Sequence, residues 1–113
     1  MVLGQAAREY FYSPYTSDEV VRSGAARIEP ESIRAVFLNQ VFGLPKVDRI
    51  TTPLLVLGAD DDGLISTAEV RATARAYGTE AVLFPRMGHN MMVEPDWRDV
   101  ADRIIGWLAD RHL

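Results

Sequence analysis

Two short apolar runs, residues 54–57 (Leu-Leu-Val-Leu) and 81–84 (Ala-Val-Leu-Phe), are separated by one well-punctuated helical segment. This spacing leaves the second half of the chain little choice of fold. The first run follows Pro53 and shows no polar alternation, which fits a strand covered on both faces in a parallel sheet better than a half-exposed one. Between the runs, Ser66-Thr-Ala-Glu69 has the spacing of a capping box, Val70, Ala74 and Tyr77 fall on one helical face, and Gly78 sits where a helix ends in a left-handed residue. Strand, helix and strand in that order predict a parallel pair joined by a right-handed crossover. Asp96 then opens a final helix in which Trp97, Val100, Ala101, Ile104, Ile105 and Leu108 make one apolar face, expected to cover the sheet. The expected fold class is α/β, with strands at about 54–58 and 81–85.

The first half is helical in character, and the division falls near Pro45. Thr16-Ser-Asp-Glu19 has capping-box spacing, followed by Val20 and Val21, and predicts a short helix closing at Gly24. Pro30 is placed for a first helical turn, and Ile33, Phe37, Leu38, Val41 and Phe42 recur at helical spacing before Gly43 and Pro45 end the pattern. The aromatic cluster Tyr10-Phe-Tyr-Ser-Pro-Tyr15, broken by Pro14, is either a loop or the end of a short helix. The chain therefore divides into a helical region, 1–46, and an α/β region, 47–113.

Composition narrows the function classes. A length of 113 residues with 48% hydrophobic content suits one modest core. The net charge of −4, with arginines scattered among acids, provides no basic stripe, which argues against nucleic-acid binding. The apolar runs span only a few residues and residues 1–10 carry no signal-like pattern, so no membrane association is expected. The absence of cysteine rules out disulfides and thiolate metal sites, and is compatible with a reducing cytoplasm. No cofactor and no metal are expected.

In parallel sheets, chemistry gathers in the loops beyond the carboxyl ends of the strands. The run Asp60-Asp-Asp62 follows the first strand and His89 follows the second. An aspartate from one loop can hold a histidine from the next in a single tautomer and stabilise it as imidazolium during proton transfer. The separation of 27 positions from Asp62 to His89 leaves room for one crossover helix, so the two loops can be neighbours. Taken singly, the acidic run has a competing reading as a solvated turn and His89 one as a hydrogen-bonded structural histidine; the combination favours the pair. His112 reads as a charge at the end of the last helix. Met91, Met92, Phe37 and Phe42 are more readily core filling than a substrate pocket.

These two turns resemble those of the α/β-hydrolases. Gly58-Ala-Asp-Asp-Asp62-Gly-Leu-Ile-Ser66 is similar to the family's acid turn, and Gly88-His89-Asn-Met-Met-Val-Glu-Pro95-Asp-Trp97 to its histidine turn, the more specific of the two. The similarity spans residues 50–113 and implies the C-terminal portion of an α/β-hydrolase fold, with residues 1–46 as a helical cap over the substrate pocket. It also implies Asp62 as the triad acid, with Asp61 second, His89 as general base and then acid, and a small-molecule ester or related bond as target.

The family's nucleophile lies on a G-x-S-x-G elbow with oxyanion-hole donors close by. Ser13, Ser17, Ser23, Ser32 and Ser66 all lack those flanking glycines, and Ser66 already serves as a helix cap. The expectation is therefore a chain inactive by itself, with the nucleophile on a separate N-terminal half, or a homo-oligomer that pairs its bare strand edges. Two other readings compete. One is a non-catalytic interaction module derived from a hydrolase. The other is a magnesium-dependent phosphatase in which Asp60 is nucleophile and Asp62 acid/base, although Leu64 replaces the hydroxyl residue expected after Gly63 and His89 is left without a role.

Overall fold

The computed structural model describes residues 2–27 and 46–113. Among them are four α-helices and a two-stranded parallel sheet: α1 Val2–Phe11, α2 Asp18–Ala25, β1 Val56–Ala59, α3 Thr67–Ala76, β2 Ala81–Phe84 and α4 Trp97–Asp110. Single 3₁₀ turns occupy Val47–Arg49 and Met91–Val93. The arrangement is α/β, as the spacing of the apolar runs implied. The amphipathic segment from Ile33 to Phe42 lies outside the described residues, as does most of the stretch leading to the expected boundary at 46.

The β1–α3–β2 unit follows its sequence signals closely. Val56, Leu57, Gly58 and Ala59 pair in parallel with Ala81, Val82, Leu83 and Phe84. Ser66 caps α3 by accepting the Glu69 amide at 3.2 Å, and its hydroxyl donates to the Glu69 carboxylate at 3.1 Å. At the other end Gly78, with φ of 71°, closes a Schellman motif: the Thr79 amide reaches Ala74 O at 2.9 Å and the Gly78 amide reaches Arg75 O at 3.0 Å. Val70 and Ala74 are buried and Tyr77 is half-buried, so the face read from periodicity is the face that packs.

Three expectations need correction. The first strand begins at Val56 rather than near 54, and its aliphatic residues are half-buried, with only Gly58 and Ala59 fully covered. Two strands by themselves offer too little surface to enclose both faces. Secondly, α4 reaches the sheet core mainly through Val100, which clusters with Ala59, Phe84 and Met87, while Trp97, Ile104 and Ile105 remain exposed. Asp96 makes no side-chain cap to that helix; its carboxylate faces Arg86 instead, at 3.4 Å. Thirdly, α2 is capped by Ser17, not Thr16, and runs one residue past Gly24.

The N-terminal helices hold a second, separate hydrophobic cluster of Ala7, Tyr12, Val21 and Ala25. Arg8 organises the turn between them. Its guanidinium donates to Ser13 O at 3.1 Å and Thr16 O at 2.9 Å, and pairs with Asp18 at 2.7 Å. The aromatic segment left open by the sequence is thus the end of α1 followed by an arginine-stapled turn. No helix among the described residues is long and apolar enough to cross a membrane.

α3 buries only two side chains fully and carries a side-chain N-cap at Ser66. Ser66→Ala is expected to lower unfolding free energy by about 1 kcal/mol, measured by urea denaturation. Ser66→Asp, which preserves the cap, is expected to stay close to the parent.

Candidate functional site

The site is assembled from the loops beyond the two strands. The Asp60 amide donates to Phe84 O at 3.0 Å and the Asp61 amide to Met87 O at 2.8 Å, so the acid turn is laced to the segment leaving β2. Asp62 then folds back on its own turn: Oδ1 accepts the amides of Leu64 at 2.8 Å and Ile65 at 3.1 Å. This Asx-type arrangement fixes the carboxylate and directs Oδ2 at the imidazole. His89 Nδ1 lies 2.9 Å from Asp62 Oδ2. The Asp62 side chain is 8% exposed and that of His89 35%. The carboxylate is therefore nearly sealed, while the imidazole retains an accessible edge. Asp61, the second choice for the acid, has no such contact, and its side chain is exposed.

The histidine turn is held from the other side by α1. The Asn90 amide donates to Phe11 O at 2.9 Å, and the Phe11 ring meets the imidazole edge-on with centroids 6.0 Å apart at 68°. Two glycines permit this approach. A Cβ on Gly88 would collide with the Tyr12–Ser13 backbone, and one on Gly63 would collide with Glu9 O and Tyr10 Cα. The acid turn thus lies against the last turn of α1, and the histidine turn against the residues that follow it, at positions where a side chain would push the backbones apart.

Beneath the turn lies Glu94, 1% exposed. Oε1 accepts the amides of Ser13 at 2.7 Å and Gly88 at 3.0 Å; Oε2 accepts the hydroxyls of Ser13 at 2.5 Å and Thr16 at 2.7 Å. Sequence reasoning assigned Glu94 no role beyond membership of the histidine turn. A buried carboxylate looks no different in a string from a solvated one; its position between Val93 and Pro95, just before a helix start, was the available signal. Phe11 was missed likewise, because its contact depends on how two distant segments dock.

The other named residues are dispersed. Met91 packs partly against the sheet core, whereas Met92 is 70% exposed. Asp60 and Asp61, with Arg8, Glu9, Tyr12, Pro14 and Asp62, line an open depression of about 390 Å³ that does not include His89. Ser13 is fully buried against Glu94, and Ser17 and Ser66 cap helices. Among the described residues no serine hydroxyl is hydrogen-bonded to His89, and no group of three or more His, Asp or Glu side chains is arranged to hold a metal ion.

Chemically, the pair can orient an imidazole, keep the Nδ1 proton on the aspartate side and leave Nε2 to accept or deliver a proton. No family model matches the chain, and no solved structure matches it.

Asp62 serves both its turn and His89. Asp62→Ala is expected to cost about 1–2 kcal/mol in chemical denaturation, from the loss of its three hydrogen bonds. Asp62→Asn, which retains an acceptor for the Leu64 and Ile65 amides, is expected to cost less than about 1 kcal/mol.

Proposed function

We propose that Asp62 and His89 are the acid and base of a hydrolytic centre similar to that of the α/β-hydrolases, acting on a small-molecule ester or related bond. Asp62 holds the imidazole through Nδ1, and His89 takes a proton at Nε2 from a hydroxyl nucleophile, then returns it to the leaving group. The observation that carries this reading is the 2.9 Å contact between Asp62 Oδ2 and His89 Nδ1, made by a carboxylate whose other oxygen is already anchored by two amides. The nucleophile is a serine on polypeptide outside these 113 residues, joined to the chain or held against it along the sheet. Residues near the end of α1, with Phe11 over the imidazole, take the place of a cap.

The phosphatase alternative is less well supported. Its proposed acid/base, Asp62, has both oxygens engaged, one by backbone amides and the other by His89. A non-catalytic interaction module accounts for strands whose aliphatic residues are only half-buried, but not for an imidazole set in one orientation against a nearly sealed carboxylate.

A fluorophosphonate probe applied to cells that produce the chain at its natural level tests the proposal, with the chain then recovered together with whatever polypeptide accompanies it. The expected result is labelling of a serine on that polypeptide, reduced at least a hundredfold by His89→Ala. Labelling unaffected by His89→Ala, or no serine labelled, would refute it. The isolated chain is expected to hydrolyse an activated ester no faster than its His89→Ala variant.

A further inference from the structure

Glu94 stands apart among the acids of the described residues. It is almost fully buried, it forms no ion pair among the described residues, and its four hydrogen-bond donors come from two distant segments, Ser13–Thr16 and Gly88. Burial of a carboxylate is costly unless its lone pairs are filled, and here two amides and two hydroxyls fill them. The placement of these donors is specific. One is the amide of Gly88, directly before His89; the others belong to Ser13 and Thr16, in the turn that follows Phe11. The amide on the far side of His89, that of Asn90, is bound to Phe11 O. The backbone on both sides of the imidazole is therefore tied to the same short stretch of the N-terminal helical unit, once through Glu94 and once directly.

We propose that Glu94 is the positioning residue of the Asp62–His89 pair. Its carboxylate clamps the turn after α1 to the histidine turn, and so fixes the imidazole between Phe11 and Asp62 with Nδ1 directed at Oδ2. The importance of that orientation rests on the acid–base role proposed for the pair, but the clamp itself is observable without any activity.

The two carboxylate oxygens are not equivalent, and this yields a discriminating substitution. Oε1 faces two backbone amides, which only donate, so an acceptor is obligatory there. Oε2 faces two hydroxyls, which can rotate to accept. Glu94→Gln can thus seat its carbonyl at the Oε1 position and its NH₂ against the Ser13 and Thr16 hydroxyls, preserving the clamp without the charge. Glu94→Ala removes the clamp entirely. Ser13→Ala combined with Thr16→Val removes the hydroxyl half only and leaves both amide bonds to Oε1.

Imidazole-labelled ¹⁵N spectra of the isolated chain at neutral pH measure the fraction of His89 protonated at Nδ1, with exposed His112 as internal reference. Backbone signals of α3 report separately that the chain is folded. The expected result is a parent-like Nδ1–H fraction in Glu94→Gln, at least a twofold loss in Glu94→Ala, and an intermediate loss in the Ser13→Ala/Thr16→Val chain. If Glu94→Ala does not fold, the double variant decides. An unchanged Nδ1–H fraction in the double variant or in folded Glu94→Ala would overturn the proposal. So would a loss in Glu94→Gln as complete as in Glu94→Ala. Because no turnover is read, failure of this proposal is distinguishable from failure of the hydrolase assignment, which is decided by His89-dependent serine labelling.

Discussion

The buried carboxylate of Glu94 is the constraint on which the site depends. The described residues hold two small hydrophobic clusters, one between α1 and α2 and the other around the sheet and α4. Glu94 and the Phe11–Asn90 contact are polar links between the segments that carry them. Loss of the glutamate would leave the Ser13 and Gly88 amides buried without partners, at about 1–3 kcal/mol each. Such a network is worth having only when complete, and here every buried side-chain polar atom among the described residues has a partner.

From that link the geometry of the two turns follows. With α1 seated on both, Gly63 and Gly88 allow backbone-to-backbone approach, Phe11 covers one side of the imidazole, and Asp62 receives the other. Asp62 is itself fixed by its own turn, so orientation is determined at both ends of the Asp62–His89 bond. Prepaid orientation of this kind is what proton transfer by an imidazole requires, since a small misplacement of the base costs rate steeply. Ile104, Ile105 and Trp97 on α4 are exposed, and the aliphatic residues of the strands are only half covered, which leaves apolar surface for the additional polypeptide proposed above.

Much of this was legible in the sequence where the signal is local. The α3 capping box, its glycine stop and the parallel pairing follow from residue spacing, because hydrogen-bonded caps and strand periodicity act within a few positions. The acid–histidine pair was legible because the strand–helix–strand order forces the two loops together. Errors appeared where neighbours decide. Thr16 has the hydroxyl of a helix cap, but Glu94 takes that hydroxyl and Ser17 caps in its place. Trp97, Ile104 and Ile105 carry the periodicity of a covered face without being covered, since periodicity reports a helix's capacity to be buried and not what is present to bury it. Glu94 was not read as a structural element, because three of the four donors that make its burial tolerable come from the other end of the chain.

The central claim is that Asp62 accepts a hydrogen bond from the Nδ1–H of His89 and so sets its tautomer. The most direct test is the ¹⁵N imidazole spectrum of Asp62→Asn. An asparagine there can keep its carbonyl on the Leu64 and Ile65 amides only by turning its NH₂ toward Nδ1, which must then accept. The predicted result is transfer of the His89 proton from Nδ1 to Nε2 in a chain that remains folded. A His89 tautomer identical in parent and Asp62→Asn would contradict the account.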